Sequence, residues 1–197
     1  MSEQSKSSQA PDRTPRVVII GAGIAGVQTA VALREQGWRG AITLLGDEPH
    51  QPYDRPPLSK AVLLGKAEGS TFDIDFAGLD IELRLGHPVT ALVPDARLVE
   101  TADGPIPYDY AVLATGAEPI VLPGSEGMPG VHLLRTLDDA ERLRPVLAAQ
   151  HEIVVVGPAG SAPSSRPRPG RRAARSPSSR PPSARWPVRC PPRSPPT

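Results

Sequence analysis

Apolar residues fall in short blocks, and their period changes from one block to the next. Val17-Val18-Ile19-Ile20 is a continuous β-branched run, which predicts a strand at 16–20 buried on both faces of a parallel sheet. The spacing then becomes helical over 24–36, with Gly37 as the stop. Residues 41–45 return to a strand pattern, so the opening reads strand–helix–strand, with parallel strands and a right-handed crossover. Residues 51–60, broken by prolines, read as a loop. Short strands are predicted at 81–85, 89–93 and 97–101, followed by an Asp103-Gly104 turn, and another at 110–114. Residues 138–149 have helical spacing, with Leu137, Ala140, Leu143 and Leu147 on one side, and 152–156 is the last predicted strand.

The joint between the first strand and helix is Gly21-x-Gly23-x-x-Gly26. Its first glycine permits a sharp turn, the second lets a pyrophosphate approach the backbone, and the third lets helix and strand pack closely. Asp47, at the end of the second strand, stands where an acidic residue would take ribose hydroxyls, and Glu48 lies beside it. These features in register predict a Rossmann-like α/β domain that binds a dinucleotide. The fingerprint alone leaves FAD and NAD open.

Charge changes the picture of the C-terminal part. From Pro158 onward there are nine arginines and no Asp, Glu or Lys; removing these nine from the 22 basic residues leaves 13 against 21 acids, a body near −8. The basic balance therefore belongs to the tail, and the body carries no sign of nucleic-acid binding. A basic tail that engages nucleic acid is a rival reading, but only Trp186 interrupts its arginines with an aromatic. The single cysteine, Cys190, also lies there, so the body holds no thiol pair. The four histidines have no metal-ligand spacing, and no metal site is expected. No apolar stretch is long enough to span a bilayer, and residues 1–15 lack a secretory pattern, so a cytoplasmic protein with no membrane partner is expected.

Longer motifs narrow the cofactor. Arg55-Pro56-Pro57-Leu58-Ser59-Lys60, the Tyr108–Gly116 segment and Leu134-Arg135-Thr136-Leu137-Asp138-Asp139-Ala140 resemble those of FAD-dependent pyridine nucleotide oxidoreductases. The similar members are reductases of ferredoxin, rubredoxin and putidaredoxin, and of aromatic-ring dioxygenases. This resemblance, over residues 16–157, implies FAD as cofactor, NAD(P)H as co-substrate, and a ferredoxin- or rubredoxin-like electron acceptor. It also implies a three-layer FAD-binding domain, mostly parallel with a small antiparallel insertion. Beyond Gly21, Gly23 and Gly26, it implies FAD contacts at Ile24 and Ala25 in the glycine turn and at Asp47 on the adenosine ribose. Arg55 and Lys60 would lie along the flavin side, Val89 near adenine and Arg135 near the isoalloxazine, while Ala114, Thr115 and Gly116 would pass the pyrophosphate. Tyr53 and Asp54 are taken as loop structure. With no cysteine in the body, electrons would leave directly from the flavin.

Ile153-Val154-Val155-Val156-Gly157 begins a second fingerprint that is not completed. The expected organisation is a lead-in at 1–15, a partial FAD-binding domain at 16–150, the first strand of an NAD(P)-binding domain at 151–157, and a disordered tail at 158–197. Codons available to Ala159–Ser165 read, after one restored base, Gly-Trp-Ile-Gly-Ala-Glu-Leu, which completes a second Gly-x-Gly-x-x-Gly from Gly157. The tail is therefore expected to be a frameshift product. In the family resembled, this second fingerprint opens the NAD(P)H domain. The chain as written is expected to bind FAD weakly, to show no NAD(P)H-dependent turnover, and in the alternative reading to be a non-catalytic FAD-binding fragment.

Overall fold

The computed structural model describes residues 14–149 and 152–157; the expectations for 1–13 and for 158–197 lie outside the described residues. Strand β1 (Arg16–Ile20), helix α1 (Ile24–Glu35) and strand β2 (Ala41–Leu45) form the predicted unit. They are followed by β3 (Ile81–Arg84), β4 (Val89–Val93), β5 (Leu98–Thr101), β6 (Gly104–Pro107), β7 (Tyr110–Leu113) and α2 (Leu137–Ala148). One sheet has the order β3-β2-β1-β7, and a second has the order β4-β5-β6. All pairings in the first are parallel, and those in the second are antiparallel.

The β-branched run of β1 supplies two cores at once, because alternate side chains point to opposite faces. Val17 and Ile19 pack with Val27 and Ala30 of α1 and with Ile42 and Leu44 of β2. Val18 and Ile20 pack instead with Leu45, Val99 and Tyr108, which brings the antiparallel sheet against the other face. The result is the expected three-layer arrangement. A third cluster joins Tyr53, Leu58 and Val62 to Ala140 of α2.

Chain-local signals set most boundaries. Helix α1 ends in a Schellman turn: Trp38 N–H donates to Leu33 O at 2.9 Å, and Gly37 takes φ +84°. Arg34 secures that end by donating to the carbonyls of Trp38, Gly40, Leu79 and Asp80, tying the helix to the start of β3. The proline-rich loop contains one turn of 3-10 helix at Pro56–Ser59.

One strand goes beyond the predicted set, and one expectation needs correction. Strand β6 follows the Asp103-Gly104 turn although it carries Pro105 and Pro107; it lies at the edge of its sheet, where prolines are tolerated. The strand expected at 152–156 does not form. A β-branched run becomes a strand only beside another strand, and Val154 is 89% exposed with no ladder partner among the described residues.

Candidate functional site

The carboxyl ends of β1, β2 and β7 meet at one crevice. Gly21 N–H donates to Leu45 O at 2.8 Å, and Ala114 N–H donates to Ile20 O at 2.8 Å, so the strand ends converge on the glycine turn. Gly21 has φ +110°, and a Cβ there would run into the carbonyl of Ala114. At Gly26 a Cβ would collide with the carbonyl of Gly21. Gly23 differs, because a Cβ there would meet nothing within 4 Å and would project into open space. Two glycines therefore serve packing, and the middle one leaves room.

The two helices begin in opposite ways. Helix α2 is capped by Thr136, whose Oγ1 accepts from Asp139 N–H, while Asp139 Oδ2 accepts from the Thr136 and Arg135 amides. Helix α1 starts at Gly23 with no side-chain cap and no acid in its first turn. The amides of Ile24 and Ala25 and the positive end of the helix dipole are thus left to the solvent side, an arrangement suited to an anion.

The crevice has a volume of about 470 Å³. Gly21, Gly23, Ile24 and Ala25 of the glycine turn line it, together with Asp47 and Arg55. Ala114, Thr115, Gly116 and Arg135 complete the set. One carboxylate oxygen of Asp47 accepts from Glu48 N–H at 3.0 Å, which orients the group at the end of β2. Arg135 lies beside the Gly116 turn, and its buried Nε has no partner. An uncapped helix start, an open position at Gly23 and an orphaned guanidinium nitrogen fit a phosphate-bearing dinucleotide.

Three predicted residues lie elsewhere. Gly26 is buried behind the turn. Lys60 lines an adjoining cleft of about 310 Å³ shared with Arg55 and Arg135. Val89 packs against the core between the sheets and does not line the crevice.

Glu48, Tyr53 and His50 also line the crevice, and sequence reasoning had not assigned them to it. Glu48 accepts from Tyr53 Oη at 2.6 Å and from Arg55 Nη2 at 2.9 Å. Arg55 also stands 5.9 Å from the centre of the Tyr53 ring. Burial and the Glu48 hydrogen bond push the Tyr53 phenol well above the ordinary tyrosine range. His50 Nε2 pairs with Asp138 Oδ1 at the start of α2. The aromatic two positions before Arg55 was the available signal, but its partners come from other parts of the chain.

The profile of a family described as pyridine nucleotide-disulphide oxidoreductase matches residues 15–161. Rhodocoxin reductase of Rhodococcus erythropolis is 44% identical over 147 residues, which are 72% of this chain and 34% of the relative. Putidaredoxin reductase of Pseudomonas putida is 43% identical over 150 residues, 72% of this chain and 36% of the relative. A crystal structure of the covalent putidaredoxin reductase–putidaredoxin complex superposes with a TM-score of 0.64 at 42% identity, covering 69% of this chain and 35% of that one. The chain thus spans about a third of the length of these relatives.

Proposed function

Because the chain belongs to the pyridine nucleotide-disulphide oxidoreductase family, we propose that its crevice holds FAD within an NAD(P)H-dependent reductase of the ferredoxin-reductase kind. The observation that carries this reading is the uncapped start of α1, which opens on a crevice that Asp47 also lines. The amides of Ile24 and Ala25 would take the diphosphate, and Gly23 leaves the backbone accessible to it. Asp47 would accept the adenosine ribose hydroxyls through the oxygen that Glu48 N–H leaves unused. Arg135, Arg55 and Lys60 would set the charge along the flavin side.

When bound, FAD would supply two-electron acceptance from a nicotinamide and one-electron release to an iron–sulfur protein. The described residues contain no cysteine, which favours direct transfer from flavin to acceptor over a thiol relay. A small ferredoxin- or rubredoxin-like protein is the proposed acceptor. Among the described residues, no helix is long and apolar enough to cross a membrane.

Binding to the 197-residue chain tests this directly. FAD and ADP are expected to compete for one site, and FMN, which lacks the adenosine diphosphate end, is expected not to bind. Asp47→Ala should weaken FAD by about tenfold, the scale of a hydrogen bond to a charged group. FMN binding as tightly as FAD would overturn the assignment.

A further inference from the structure

Tyr53 joins two segments that both contribute to the crevice, one at Glu48 and one at Arg135, through one atom. Its hydroxyl donates to Glu48 Oε2 at 2.6 Å and accepts from the backbone N–H of Leu137 at 3.0 Å. Glu48 is the neighbour of Asp47 at the end of β2, and Leu137 is the first residue of α2, two positions after Arg135. The side chain is only 6% exposed, and its ring packs with Leu58, Val62 and Ala140. The Leu137 amide is one of the orphan donors of a helix start, and the capping box of α2 supplies no partner for it.

We propose that Tyr53 is a positioning residue: its hydroxyl fixes the distance between the Asp47 end and the Arg135 end of the crevice. The inference rests on the FAD reading, because only a ligand spanning both ends would sense that distance. A neutral phenol suits the task, since it can donate to Glu48 while accepting from Leu137. Arg55 completes the link by holding the other oxygen of Glu48 at 2.9 Å. The ring alone can maintain the packing, so Tyr53→Phe should remove the link and leave the fold intact.

Two measurements on the 197-residue chain, with and without Tyr53→Phe, test this. Without ligand, amide hydrogen exchange should accelerate about tenfold both at 47–55 and at 135–139, with amides of β1 and α1 unchanged. With ligand, FAD should bind about tenfold more weakly while ADP, which reaches only the Asp47 end, loses less than threefold. Loosening of one segment without the other, or equal losses for FAD and ADP, would overturn the role given to Tyr53. A wild-type chain that holds FAD no more tightly than ADP would overturn the flavin assignment instead, leaving hydrogen exchange to decide whether Tyr53 links the two segments.

Discussion

Gly23 and Gly26 stand in the same turn and answer different constraints. A methyl at position 26 would press on the Gly21 carbonyl, which is backbone and can yield only by moving the turn. Gly26→Ala should therefore cost about 1–3 kcal/mol, read from the midpoint of urea unfolding. A methyl at position 23 meets nothing, so Gly23→Ala should leave stability within about 0.5 kcal/mol. It should nevertheless weaken FAD binding strongly, because the methyl occupies the space the diphosphate needs. Equal effects of the two substitutions on stability would show that the turn is not built as described. Arg34 is another residue whose contribution comes from several partners together. Its guanidinium reaches four carbonyls with little exposure, and Arg34→Ala should cost about 2–3 kcal/mol by leaving them short of donors.

Helix α2 illustrates how an element depends on its first turn. Thr136, Asp139 and Tyr53 together satisfy amides that would otherwise lack partners, and Ala140 anchors the helix against the Leu58–Val62 segment. Burial opposes ionisation of Asp139, but the amides of Thr136 and Arg135, the Thr136 hydroxyl and Arg142 outweigh it, and its pKa falls below the usual carboxylate range. Glu82 behaves similarly: burial raises it, while Arg84 and Thr43 lower it further. For a carboxylate depressed in the folded state, the stabilisation is full above the ordinary carboxylate range and is lost as pH falls through the folded value. Unfolding midpoints should therefore drop below about pH 4, and Asp139→Asn should flatten that part of the profile. Thr136→Ala should cost about 1 kcal/mol at neutral pH, where the cap is intact. A profile identical in wild type and Asp139→Asn would remove the carboxylate from this role.

At the scale of the whole molecule, the described residues leave considerable apolar surface uncovered. Ile120 is 91% exposed and Leu122 is 51% exposed, and Leu113 at the end of β7 is 64% exposed. Large exposed apolar surface favours association or dye binding even in a folded chain. The 197-residue chain should accordingly enhance the fluorescence of anilinonaphthalene sulfonate at neutral pH before any unfolding. Ile120→Gln with Leu122→Gln should reduce that signal without shifting the urea midpoint.

What the sequence alone determined was everything encoded over a few residues. The run at 17–20, the glycine joint, the helix stop at Gly37, the second strand and α2 were legible because periodicity, turn chemistry and capping act locally. Tertiary structure decided the features that need a distant partner. It made an edge strand of Gly104–Pro107, formed no strand at 152–156, and placed Val89 in the core and Lys60 in a neighbouring cleft. It also brought Leu137 across 84 residues of chain to the Tyr53 oxygen that Glu48 shares. Strand pairing and buried hydrogen bonds depend on which segments meet, and spacing along the chain does not specify that.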